Sequence, residues 1–154
     1  MIRPPRALVA AFAVVALAAC GDEGVTLTEA RSIAIVREEL AAVGVDAAPT
    51  THTVDDLEVC PAPGDCHPRS FALDGWDADA AVGFACLTAA DLPGLDTAAT
   101  LVELEAIQAA LDALDGRTLL AFREVSHETT DLAEDQLRRD VQRAIADHGL
   151  SAAP

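Results

Sequence analysis

Lysine and tyrosine are absent from this 154-residue chain, and there is one tryptophan and one methionine. Aromatic residues make up 3% of the sequence, so any core has to be built from Leu, Val, Ile and Ala. All ten cations are arginine, set against 26 acids, for a formal net charge of −16. A body this negative repels phosphate backbones and anionic surfaces, and no basic patch is interleaved with aromatics. Nucleic-acid binding is excluded on both grounds. No glycine-rich phosphate loop and no Gly-x-Ser-x-Gly occurs, which leaves Ser32, Ser70, Ser126 and Ser151 without the setting of an activated nucleophile. Asp74, Asp77, Asp79 and Asp91 lack the spacing of an EF-hand loop and read as a charged turn. No internal repeat is present.

Residues 1–20 have a different character from the remainder. Arg3 and Arg6 precede an uncharged, mostly aliphatic run from Ala7 to Leu17, closed by Leu17-Ala18-Ala19-Cys20. The run of about 11–13 residues is too short to cross a ~30 Å hydrocarbon layer as a helix. Its flanks are those of a secretory signal. Leu17-Ala18-Ala19-Cys20 resembles the lipobox of bacterial lipoproteins, a likeness that covers about the first 22 residues. The resemblance implies removal of residues 1–19, diacylglycerol on the Cys20 sulfur, and export to the cell envelope. Asp22, one position beyond the place that favours inner-membrane retention in that family, implies the outer membrane where there are two. One acyl chain anchors reversibly, and two or three on one cysteine hold a domain without a transmembrane helix. Cleavage would leave 135 residues, with eight arginines against 26 acids for a charge of −18. The expected partner is thus the membrane, reached through lipid on Cys20.

Residues 20–27 are expected to form the lipidated cysteine and a short tether, and 28–150 a single domain. Gly21-Asp22-Glu23-Gly24 spans at most about 14 Å when extended. Thr26-Leu27-Thr28-Glu29 has the pattern of a capping box, with Thr28 as a second possible cap. Ile33, Val36, Leu40 and Val43 follow at helical spacing up to Gly44, which predicts a helix over about 28–43. Thr51–Val59 reads as a strand, Cys60–Cys66 as a compact loop, Ser70–Leu73 as a short strand and Asp74-Gly75 as a turn. Val82–Leu87 reads as a strand with Val82, Phe84 and Cys86 on one face. Thr100-Leu101-Val102-Glu103 is a second capping box, opening a helix whose stripe runs through Leu101, Leu104, Ile107, Leu111 and Leu114 to Gly116. Leu119–Phe122 lies in a central strand from about 117 to 125. Asp131-Leu132-Ala133-Glu134 opens a last helix with Leu137, Val141, Ala144, Ile145 and His148 on one face. The piece from 82 to 125 has the length of a parallel crossover. The expected fold is α+β, a sheet of about four strands covered by three helices.

Export implies an oxidising compartment. Cys60 and Cys66 are the expected disulfide, with Cys66–Cys86 as the alternative; a free Cys86 on a core-facing strand would be an inert buried thiol. A metal or redox site on Cys60, Cys66 and His67 lacks the usual two-residue spacing. His127-Glu128-Thr129-Thr130-Asp131 invites a metallohydrolase reading. His127 and Asp131 at i, i+4 on a helix could share a metal, with Glu128 as base. The second histidine of that motif is missing, and Asp131 with Glu134 is better explained as a helix start. No catalytic residue, metal ligand or cofactor is therefore assigned. The leading expectation is a non-enzymatic envelope lipoprotein with a binding or structural domain; the alternative is a small tethered hydrolase using His127, Glu128 and Asp131.

Overall fold

The computed structural model describes residues 24–92 and 97–150. The leader, Cys20 and most of the tether lie outside the described residues. The fold is α+β, with three helices and several strands in small sheets.

The centre is β5 (Val82–Leu87), whose six residues are all buried. It pairs antiparallel with β4 (Gly75–Asp77) and parallel with β6 (Thr118–Arg123). The parallel pair is joined by α2 (Thr97–Asp112), which is the expected crossover. Side chains alternate across this sheet. Val82, Phe84, Cys86, Leu120 and Phe122 enter one cluster with α1 (Glu29–Ala42) and α3 (Thr130–Asp147). Ala85, Leu87 and Leu119 enter another, with Ile107 and Leu111 of α2. That second cluster is completed by a hairpin of β2 (Thr53–Ala62) and β3 (Asp65–Ala72).

The expected four-stranded sheet is not what forms. The strands divide into β4-β5-β6, the β2-β3 hairpin, and a two-residue pair of β1 (Val25–Thr26) with β7 (Ser126–His127). The free edge of β4 is met by an isolated bridge, in which Trp76 N–H donates to the Ala48 carbonyl at 2.9 Å. The hairpin therefore packs on α2 rather than extending the sheet. The stretch expected to be a loop, Cys60–Cys66, forms the last rungs of the hairpin. Its turn is Pro63-Gly64, where Pro presets φ and Gly64 adopts φ +81°. Pro68 is tolerated inside β3 because a two-stranded hairpin has open edges. A bulge at Asp56 (φ +51°) shifts the register between Val54 and Leu57, which keeps Val54, Leu57 and Val59 all buried. Gly75 lies in β4, not in the expected turn; the Asp74 carboxylate accepts from Cys86 N–H at 2.7 Å across the sheet.

The helix starts also differ from the capping-box expectations. Thr28, not Thr26, caps α1, accepting from Arg31 N–H at 3.3 Å, while Thr26 pairs in β1. Helix α2 begins at Thr97, so Thr100 lies within it. Thr129 caps α3, accepting from Leu132 N–H, and Asp131 sits in the first turn, near the positive end of the helix dipole. α1 and α3 run side by side in parallel. The Arg31 guanidinium donates through two nitrogens to Glu134 at 2.6 and 2.7 Å, and Arg138 binds Glu38 and Glu39 further along. Such partly exposed pairs contribute little stability each; together they set the register of the two helices.

Gly75 is needed at its position. A Cβ there would collide with the Phe84 ring and sit 2.9 Å from the Ala47 carbonyl oxygen. Gly75→Ala should lower stability by about 1–3 kcal/mol; an unchanged urea midpoint would contradict this packing.

Candidate functional site

The most unusual side chain in the described core is an acid. Glu103 is 2% exposed, one of two buried polar residues there beside Ser32. It lies on α2 in line with Ile107 and Leu111, at i+4 and i+8, so helix geometry turns it inward. His67 and Arg69 alternate along β3 on the same side as buried Phe71, and so face α2. His67 Nε2 donates to Glu103 Oε1 at 2.7 Å, and Arg69 Nε donates to the same oxygen at 2.6 Å. A carboxylate oxygen accepts only, so the proton of His67 sits on Nε2. Burial pushes the Glu103 carboxyl up, but the hydrogen bonds from His67 and Arg69 and the arginine charge outweigh it and hold it below the ordinary 4.5. A carboxylate-oriented imidazole is one element of general-base chemistry. Here Arg69 shares the carboxylate, and the triad joins the hairpin to α2.

Cys60 and Cys66 form the expected disulfide, with Cα atoms 4.0 Å apart and both residues exposed on the outer face of the hairpin. Cys86 is free and buried, its thiol pushed up by burial and by the Asp74 charge, as expected of an inert core cysteine. Among the described residues, Glu58, Cys60 and Cys66 bring three donor atoms within 4.8 Å of one another, and both sulfurs are bonded together. His67 points to the opposite face, onto Glu103, and is not part of that group.

The fold does not assemble the His127–Asp131 arrangement as a helical pair. His127 lies in β7 opposite Val25, and its Nδ1 accepts from Glu128 N–H at 2.9 Å. Asp131 belongs to α3, beyond the Thr129 cap. The acidic turn is likewise engaged locally. Asp77 accepts from the backbone N–H of Asp46, Asp79 and Ala80, and Asp91 from Thr88. Trp76 stacks on His52, with ring centroids 5.6 Å apart.

A groove of about 300 Å³ runs beside the edge of β6, between α2 and α3. Gln108 of α2 covers part of that edge as a backbone would. Its Nε2 donates to the Leu119 carbonyl at 2.9 Å, and its Oε1 accepts from Ala121 N–H at 3.0 Å. One end of the groove is tied by His148. Its Nδ1 lies 2.8 Å from the Ala144 carbonyl and its Nε2 2.9 Å from Asp112 Oδ1. Both partners accept only, so both contacts are hydrogen bonds when both ring nitrogens carry protons, which favours the imidazolium form. Burial lowers its pKa, but Asp112 and the Ala144 carbonyl raise it more, to above the ordinary 6.5. The stability this adds is present below the unfolded value and is lost as pH rises through the folded one.

Sequence reasoning missed the triad. The signal was an acid in phase with Ile107 and Leu111; the Thr100–Glu103 pattern disguised it as half of a capping box.

Glu103→Gln should cost about 1–3 kcal/mol at pH 7, because the Arg69 guanidinium and the His67 Nε2–H lose a charged acceptor. A lowered folded pKa stabilises above the unfolded value and is lost as pH falls through the folded one. The difference between parent and variant should therefore shrink as pH drops below 4.5, measured by urea unfolding at several pH values. Equal stability at pH 7 would refute the assignment. Reducing the disulfide, or Cys60→Ser with Cys66→Ser, should lower stability by about 2–3 kcal/mol on the loop-entropy account; unfolding with and without reductant measures it. Comparison with known proteins finds no matching family model, no matching curated protein and no matching solved structure.

Proposed function

We propose that this chain is an envelope lipoprotein, anchored by lipid on Cys20, whose folded domain is a non-enzymatic binding or structural module. The observation that carries the reading is Leu17-Ala18-Ala19-Cys20 following a basic start and a short apolar run. Two further features support it. The first described strand starts at Val25, and four residues, 21–24, lie between it and Cys20 in the sequence. The exposed Cys60–Cys66 disulfide suits an oxidising compartment. Among the described residues no helix is long and apolar enough to cross a membrane.

The non-enzymatic half of the reading rests on how the polar clusters are used. Glu103 is matched by His67 and Arg69, Asp112 by Gln108 and His148, and Glu134 by Arg31. Each of these contacts ties one element of the fold to another or to itself. His127 and Asp131 are on different elements, without the shared helical face that the hydrolase alternative uses. Gly21 after the cysteine, with the acid one place later at Asp22, favours the outer of two membranes.

Cys20→Ser should leave uncut precursor and abolish incorporation of labelled fatty acid, read by intact mass and metabolic labelling in a producing bacterium. A mature chain that starts elsewhere, or that carries a bare thiol at residue 20, overturns the proposal.

A further inference from the structure

The three helices point the same way. The Arg31–Glu134 and Arg138–Glu39 pairs align α1 with α3, and the Asp112–His148 bridge joins the C-terminal ends of α2 and α3. Their N-termini therefore share one end of the domain. The β1–β7 pair lies at that end, since Thr28 and Thr129 cap α1 and α3 directly after it. A cleft of about 360 Å³, lined by Thr88 and Thr100 on one side and Arg123 and Ser126 on the other, brings the start of α2 beside β7.

Among the described residues, the large hydrophobic side chains left exposed sit on elements that begin at this end. Val25 is 42% exposed in β1, Leu101 41% and Val102 48% in the early turns of α2, and Leu132 40% in the first turn of α3. Three separate elements thus contribute exposed apolar side chains to the rim of this end, the one from which the chain runs back through Gly24 toward Cys20.

We infer that this end lies flat against the bilayer, with Val25, Leu101, Val102 and Leu132 entering the headgroup region of a zwitterionic lipid surface. The inference rests on the lipid anchor proposed above. With Cys20 acylated, the extended chain lets Gly24 stand at most about 14 Å from the anchor. The face bearing β1 is then the one held at the membrane. Glu29, Glu128 and Asp131 flank the rim, and the whole chain is strongly anionic, so anionic lipid would be repelled and zwitterionic headgroups are the matching surface. Apolar side chains at that depth take up the interfacial position that amphipathic segments use.

The test uses the full lipidated chain in phosphatidylcholine vesicles, in a Trp76→Phe background. Tryptophan is placed at the rim by Leu132→Trp or, as a second variant, Leu101→Trp. The control is Ala113→Trp, just past the C-terminal end of α2. Lipids brominated near the headgroup quench a side chain that sits ~5–10 Å into the interface. The rim tryptophans should lose about half their emission and the Ala113→Trp control almost none, since quenching needs the probe within that ~5–10 Å layer. Protein that floats with the vesicles but shows equal quenching at both ends, or none at either, overturns the orientation and leaves the anchor standing. Protein that fails to float overturns the anchor, and the orientation with it.

Discussion

The rest of the structure depends on the burial of β5. All six of its residues are removed from water, so both faces of a three-stranded sheet have to be covered. Burying apolar area contributes about 25 cal/mol per Å², and a strand apolar on both faces gains it only with cover on each. The parallel pairing with β6 supplies part of that cover, because the crossover returns as α2 across one face. α1 and α3 cover the other. The hairpin completes the α2 side, filling the space beside Ile107 and Leu111 with Val54, Leu57, Val59 and Phe71.

Charge then decides details that apolar packing leaves open. Two of the capping-box glutamates turn away from the cap and toward an arginine on another element. Glu134 pairs with Arg31, and Glu103 with Arg69 and His67. A backbone N–H at a helix start can also be satisfied by a threonine hydroxyl or by water, whereas a guanidinium at 2.6 Å forms a charge-assisted bond roughly twice as strong as a neutral one. The starts of α1 and α3 are consequently capped by threonine alone. With arginine as the only cation besides histidine, the fold obtains paired contacts of fixed geometry, as in the two-nitrogen bond from Arg31 to Glu134.

The domain therefore has two different ends. At one lie helix N-termini, the β1–β7 pair and exposed Val25, Leu101, Val102 and Leu132. At the other, His148 ties α3 to α2. The hairpin, stitched by its disulfide and docked by the Glu103 triad, forms a further surface whose exposed face is polar. If Cys20 is lipidated as proposed, a short tether and a directional body give the domain a defined outward side.

Features that depend on local periodicity and local chemistry were readable in the sequence alone. These are the three helices, the buried strand at Val82–Leu87 and the parallel crossover to Leu119–Phe122; the Cys60–Cys66 pairing was one of two alternatives until the structure chose it. Each is set by contacts a few residues apart, or by a strand so apolar that it has one place to go. Only the tertiary structure decided the division into three small sheets, the hairpin running through both cysteines, the true helix starts, and the burial of Glu103 between His67 and Arg69. Those outcomes turn on partners 34 or 36 residues away for Glu103 and 103 away for Arg31. No local pattern encodes which distant charge will be opposite, because that is settled when the layers close around β5.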